Sequence, residues 1–454
     1  MPFLNRCYTR ESLKLAIPVM VTQLGQVSVN LFDNMIVGKM LGADALASVS
    51  LGNAMFFSVF VFALGFSYAM PPLISEADSQ NNHSRINSVF RHGFVVNLLI
   101  GILMMLLILL GMPLLYHLDQ PEEILPDTID FLTVMAFSMI PFVIFQTYRE
   151  LAEGLSFTIG VTKATIAANV LNIILNYILI GGKLGFPAMG VRGSATATLI
   201  ARIFMLVFLW IILYKNPKTS KYIKAFHLKI SGFSKNMFRK IFQLGFPTSL
   251  QMLFEVTAFA GAAFICGLVS AKDIAAHQIA ISMASFTYNL CVGFGVASTI
   301  MIGKKVGERN FIAVHRIGIN NMKISFMFMF GCGLLFIFGR NLIPYFFVQN
   351  HDAAVIELTA SLLIIAALFQ LSDGLQVVCV GSLRGIQDVK VPSFITFIAY
   401  WIITLPLGFY LCYIRNMGAF GMWIALGIGL SLSAILLIVR FIRLSRKKMK
   451  IARL

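Results

Sequence analysis

Long apolar runs, parted by short charged segments, divide the chain into twelve stretches near 13–37, 47–73, 93–115, 129–149, 161–181, 190–214, 241–267, 275–302, 318–340, 355–380, 391–413 and 419–441. Roughly 20 apolar residues span about 30 Å of hydrocarbon as a helix, so each stretch is long enough to cross a membrane. A barrel would instead show short segments of alternating polarity. The pattern therefore predicts an all-α integral membrane protein of twelve transmembrane helices.

Polar residues interrupt these runs on single helical faces. The first span carries Gln23, Gln26, Asn30 and Asp33 at steps of three, four and three, within an arc of about 80° at 100° per residue. The fifth carries Thr165, Asn169, Asn172 and Asn176; the seventh Thr248, Gln251 and Glu255; the eighth Gln278, Ser282, Ser285 and Asn289; the tenth Gln370, Asp373 and Gln376. Lipid cannot satisfy such groups, so the faces are expected to turn toward each other or toward water. Amide stripes alone fit interhelical hydrogen bonding as well as cavity lining. Stripes that end in an acid point to a cavity, because a carboxylate at bilayer depth costs roughly 2.5 to 3.5 kcal/mol on insertion scales.

The chain also repeats itself. An offset of 229 lays Pro18 on Pro247, Gly38 on Gly267, Asp44 on Asp273 and Ala47 on Ala276; an offset of 228 lays Leu155 on Leu383, Val161 on Val389, Met189 on Met417, Gly190 on Gly418 and Gly193 on Gly421. A near-constant offset predicts a duplication of six spans. Six is even, so both copies share one orientation, a parallel repeat with a pseudo-twofold axis along the membrane normal. The expected organisation is an N-lobe over 1–214, a basic cytoplasmic linker over 215–240, a C-lobe over 241–441 and a basic cytoplasmic tail over 442–454. The acids break the symmetry: Asp33 falls on Ala262, Glu255 on Gln26 and Asp373 on Phe145.

Composition agrees with a membrane protein: 58% of the 454 residues are hydrophobic and 12% charged, with a mean hydropathy of +0.84. The excess of 36 Lys and Arg over 19 Asp and Glu lies in the short segments between spans, which indicates membrane lipid and not nucleic acid as its partner. With the N-terminus assigned to the cytoplasm, 29 basic residues fall on that side and six outside, Arg202 lying within a span. Both termini are thus expected inside. Six scattered cysteines form no disulfide framework or zinc pattern. The seven histidines (83, 92, 117, 227, 277, 315 and 351) fall in loops or near span ends and support no metal site or proton relay, and the GKKVGE run at 303–308 lacks P-loop spacing.

A carboxylate among amide oxygens suits Na+, and a desolvated lone carboxyl suits H+. Asp33 has amides available from the first and fifth spans. Glu255 and Asp373 lie on different helices of one half and, if adjacent, would share a cation or proton. Arg202 is a candidate anchor for a carboxylate, and Asp352, in an outer loop, a candidate attractor of cations.

The segments GFPTSLQMLFEVTAF around Glu255, FQLSDGLQVV around Asp373 and GSLRGIQD at 381–388, set in a 6 + 6 frame, resemble the multidrug and toxic compound extrusion (MATE) transporters, in particular their NorM-like branch. The resemblance covers nearly the whole chain. It implies two lobes splayed as a V and, in a bacterial inner membrane, cation-driven export of hydrophobic organic cations by a monomer without cofactor or enzymatic activity. It further implies a C-lobe site for Na+ or H+ at Glu255 and Asp373, an N-lobe site at Asp33, Asn172 and Asn176, drug contacts at Gln278 and Asp352, and a bend of the first helix at Pro18. Phe369 stands where a relative has tyrosine beside the C-lobe site. With it, Gln26, Asn30 and Gln251 complete the expected substrate-contact set. The rival readings are a lipid-linked precursor flippase, which calls for a cationic cavity, a membrane-embedded enzyme, which calls for a clustered nucleophile and base, and a channel.

Overall fold

The computed structural model describes residues 4–117, 121–226, 232–347 and 353–451. Helices account for nearly all of them: α1 (Arg6–Leu41), α2 (Ala43–Ser67), α3 (Met70–Ser79), α4 (His83–Gly111), α5 (Leu125–Gly154), α6 (Thr158–Gly181), α7 (Gly190–Lys215), α8 (Pro217–Lys224), α9 (Lys235–Val269), α10 (Ala271–Gly307), α11 (Phe311–Gly339), α12 (Ala353–Gly385), α13 (Lys390–Phe397), α14 (Leu405–Phe409) and α15 (Gly418–Ile451). Among the described residues, twelve helical segments are long and apolar enough to cross a membrane, as the hydrophobic pattern predicts. The second combines α2 and α3, which part at Tyr68 and Ala69 before Pro71 and Pro72 open the new helix. The eleventh joins α13 and α14 through wide-turn π-helical stretches at Ile398–Thr404 and Tyr410–Ile414.

Local geometry recurs at the spacing of the sequence repeat. Asn82 and Asn310 cap α4 and α11, accepting from the amides of Arg85 and Ala313, as short polar side chains do at helix starts. Each follows a left-handed residue, Asn81 at φ 53° and Arg309 at φ 57°. Gly190 and Gly418, at φ 54° and 57°, open α7 and α15. At Gly418 a Cβ would also lie 2.3 Å from Asp273 Oδ1, so glycine is required twice over. That carboxylate accepts from Ala419 N (2.6 Å) and Ser270 Oγ (2.5 Å), binding the start of α10 to the start of α15.

The chain packs into two compact units, one of Met1–Met20 with Leu250–Leu454, the other of Val21–Ser249. Each half's first helix has its opening turns in the unit built by the other half. In the first unit, Ser12 Oγ donates to Asn321 Oδ1 (2.5 Å), Asn320 Oδ1 accepts from Asn5 N (2.8 Å), and a Cβ on Gly293 would meet Ala16 O at 2.8 Å. In the second, Ser249 Oγ donates to Phe62 O (2.7 Å), and a Cβ on Gly245 would lie 2.6 Å from Phe66. Pro18 and Pro247 sit two residues before these boundaries, inside α1 and α9. Proline supplies no N–H, so the helical ladder is interrupted where unit membership changes.

Small residues let helices approach closely. A Cβ on Gly381 would lie 2.2 Å from Gly295 O, and Thr299 Oγ1 donates to Gly381 O (2.8 Å), the contact that small residues allow in membrane bundles. α5 runs past the expected end at 149 to Gly154 and buries Arg149, Glu150 and Glu153. Arg149 Nε donates to Glu153 Oε1 (2.7 Å), one turn along the helix.

Candidate functional site

In the unit of Val21–Ser249, the polar stripes of α1 and α6 meet rung by rung. Thr22 Oγ1 donates to Thr162 Oγ1 (3.1 Å). Next, Gly25 leaves room for Asn169, whose Nδ2 would lie 2.6 Å from any added Cβ. Finally, Asn176 Nδ2 donates to Asp33 Oδ1 (2.6 Å) and lies 3.1 Å from Asn172 Oδ1. Asn172 in turn donates to Thr198 Oγ1 on α7 (3.3 Å). Asn172 and Asn176 are buried, Asp33 half-buried. The three residues expected to act together are therefore joined by hydrogen bonds. Gln26 is half-buried and Asn30 exposed on the same helix.

In the unit containing Leu250–Leu454, α9 and α12 bring Glu255 and Gln376 together: Gln376 Nε2 donates to Glu255 Oε1 (3.3 Å) and to Tyr400 Oη (3.0 Å). Asp373, buried at 3% exposure, has Glu255 as its like-charge neighbour. Arg384 supplies the opposing charge to Glu255. Two acids thus share one region, with the Gln376 amide on Glu255 and the Tyr400 phenol on that amide. Such a group holds a small cation or a proton at lower cost than it holds two bare charges. Around it, Gln370 Oε1 accepts from Thr287 Oγ1 (3.0 Å), and Gly374 O accepts from Ser325 Oγ (2.8 Å).

The remaining predicted positions are dispersed. Gln251 is buried, and Phe369 is buried edge-on to Trp423 with ring centroids 5.5 Å apart. Gln278 is exposed on α10, where Ser282 Oγ donates to the Gln278 carbonyl (2.6 Å) and Asn289 Nδ2 to the Ser285 carbonyl (2.8 Å). Pro18 is half-buried in a continuous α1. Asp352, His227 and His351 lie outside the described residues. Sequence reasoning missed Tyr400, although Ser393, Thr396, Tyr400 and Thr404 recur at steps of three, four and four in the eleventh span, and Thr198, which becomes significant only through Asn172.

A model of the MatE family matches residues 18–178 and 247–410. The chain belongs to the MatE family. The two matched segments start 229 residues apart, the offset at which the sequence repeats. The probable multidrug resistance protein NorM of Agrobacterium fabrum is 31% identical, the match covering 98% of this chain and 96% of that protein. The multidrug resistance protein NorM of Photobacterium profundum is 32% identical, over 95% and 94% respectively. Among solved structures, the eukaryotic MATE transporter AtDTX14 superposes with a TM-score of 0.87 at 19% identity, covering 98% of this chain and 99% of that one. A MOP superfamily transporter from Pyrococcus furiosus superposes at 0.88 and 20%, over 97% of both. The fold is therefore that of MATE proteins, and the chain is a multi-pass membrane transporter rather than an enzyme.

Proposed function

We propose that this MatE-family chain is a secondary antiporter that exports hydrophobic organic cations in exchange for inward Na+ or H+. The observation that carries the reading is the placing of Glu255 near Asp373 in one unit, with Gln376 bonded to Glu255 and to Tyr400 and Arg384 as an opposing charge. An inbound cation neutralises the pair. An organic cation binds the complementary state, because one carboxylate cannot serve both ions fully at once, and the two therefore alternate as the protein opens its site to either side of the membrane. At 100 mV one charge supplies about 2.3 kcal/mol, roughly fiftyfold in gradient. Asp33, with Asn172 and Asn176, forms the second acidic centre. Gln26, Asn30, Gln251, Gln278, Asp352 and Phe369 are assigned to substrate contact and Pro18 to bending of α1. The export direction and the drug class rest on the multidrug resistance relatives. Placement in a bacterial inner membrane, with both termini cytoplasmic, rests on those bacterial relatives and on the bias of basic residues.

Counterflow in proteoliposomes tests this directly. Ethidium movement driven by an imposed Na+ or pH gradient is the expected result. Ethidium flux indifferent to both gradients would overturn the proposal.

A further inference from the structure

We propose that His92 is an acid-sensitive latch: while neutral it holds the start of α9 to α4, and on protonation it lets that start go, so that transport responds to cytoplasmic acid through a group apart from the ion-binding acids. The regulated activity rests on the transport reading above; the latch itself rests on the geometry of the Val21–Ser249 unit.

His92 is fully buried and bonded through both ring nitrogens. Nδ1 lies 2.7 Å from Ser88 O, one turn earlier on α4; a carbonyl only accepts, so Nδ1 carries a hydrogen. Nε2 lies 2.8 Å from Ser234 N, just before α9; a backbone N–H only donates, so Nε2 is bare. The ring is therefore neutral. A second proton, on Nε2, sets donor against donor and breaks the tie to Ser234. Phe238 and Phe233 stand edge-on to the imidazole, with centroids 4.7 Å and 5.1 Å away, and Arg91 Nη2 donates to Gly232 O (2.5 Å). Of these fastenings, His92 alone titrates near neutral pH. The charges on neighbouring elements are basic or already engaged. Arg91 acts on the ring electrostatically, and α9 brings Lys235, Arg239 and Lys240. On α3, Glu76 is bonded to Arg85 (2.9 Å) and Asp78 acts on Tyr222; on α5, Glu153 is bonded to Arg149 (2.7 Å), on which Glu150 also acts. Untied at its start, α9, which carries Glu255 further along, loses an anchor for the movement that transport requires.

The other unit carries the same tie with a side chain that does not titrate. The offset of 229 lays Asn5 on Ser234 and Thr9 on Phe238, and that of 228 lays His92 on Asn320. In the unit of Met1–Met20 with Leu250–Leu454, Asn5 N donates to Asn320 Oδ1 (2.8 Å) and Asn320 Nδ2 to Thr9 Oγ1 (3.2 Å). The backbone N–H ahead of each half's first helix is thus held by the third span of the other half, through an amide in one unit and an imidazole in the other. An amide oxygen accepts at any pH, an imidazole nitrogen only while neutral. A tie needed for packing alone is already met by asparagine.

Amide hydrogen exchange on the purified full chain, read by mass spectrometry and corrected for the intrinsic rate at each pH, tests the latch. Between about pH 8 and pH 5 the protection of the Ser234 amide in wild type should fall at least about fivefold, as for a lost hydrogen bond, while that of Asn5 holds. His92→Gln offers an amide oxygen to the same N–H, and protection at Ser234 should then be as steady as at Asn5. Protection at Ser234 that survives to pH 5, or that falls alike in wild type and His92→Gln, overturns the inference. Should His92→Gln not fold, the contrast between Ser234 and Asn5 in wild type decides by itself. Ethidium counterflow with both faces buffered alike reads the regulation. The ratio of its rate at pH 5 to that at pH 8 should be lower in wild type than in His92→Gln, and equal ratios overturn the regulatory claim. Wild type without counterflow at pH 8 fails the transport reading, and the exchange result still decides the latch.

Discussion

Replacing Gln376 by leucine removes the one side chain that bonds both Glu255 and Tyr400 while nearly preserving volume. Gln376 is buried at 1% exposure, so water does not replace the lost donor. A hydrogen bond to a charged group contributes about 1.5–3 kcal/mol. At 3.3 Å the bond to Glu255 is a long one, and about 1.5 kcal/mol is the appropriate figure, a factor of about ten. The bond favours the bare carboxylate, because a bound cation would satisfy the same oxygen. Its loss therefore costs the empty site more than the loaded one. The half-saturating concentration of coupling cation should fall by up to about tenfold. The assay is displacement of ethidium, followed by fluorescence polarisation on purified protein, in Na+ titrations at fixed pH and pH titrations at fixed Na+. Tyr400→Phe is the control: its hydroxyl bonds to Gln376, and the shift should stay below about threefold, as expected of a neutral hydrogen bond. A midpoint unchanged in both titrations, or moved to higher cation concentration, would refute the reasoning, the latter by making Gln376 a ligand of the cation.

Two further predictions concern the scaffold. Arg149→Leu strands the buried Glu153, at a cost of about 3–5 kcal/mol for an unpaired buried charge; the thermal midpoint in detergent should drop sharply, and Arg149→Leu with Glu153→Leu should regain part of it, Glu150 staying buried beside the lost guanidinium. Gly381→Ala places a Cβ 2.2 Å from Gly295 O, and overpacking of this kind costs about 1–3 kcal/mol; a midpoint equal to wild type would show that α10 and α12 separate freely.

Much of this arrangement was legible from residue periodicity. Asp33, Asn172 and Asn176 lie on faces spaced by three and four, and lipid leaves such faces no partner but each other. Glu255 and Gln376 follow the same rule, and their hydrogen bond links the seventh and tenth spans. What the pattern could not convey are contacts fixed by packing in three dimensions. Nothing in the sequence of α1 announces that Ser12 belongs with Asn321 while Thr22 belongs with Thr162; hydrophobicity is continuous through Pro18, and only the packing assigns each turn to its unit. Glu150 and Glu153 fall past the expected end of the fourth span at 149 because hydropathy counts their charges as exposed, whereas the pairing of Arg149 with Glu153 allows α5 to continue. In the eighth span Ser282 and Asn289 bond carbonyls of their own helix, local contacts that polar periodicity alone does not distinguish from cavity lining. Tyr400 belongs to a hydroxyl stripe with Ser393, Thr396 and Thr404, a signal weaker than an amide or acid stripe, and its link to Glu255 through Gln376 is fixed by packing.

The central claim is that Glu255 and Asp373 exchange an inbound cation for an organic one, and Asp373→Asn tests it most directly. Reconstituted beside wild type at equal protein density, the variant should still bind ethidium yet show no ethidium flux in response to an Na+ or pH gradient. Gradient-driven ethidium flux at the wild-type rate would contradict the account.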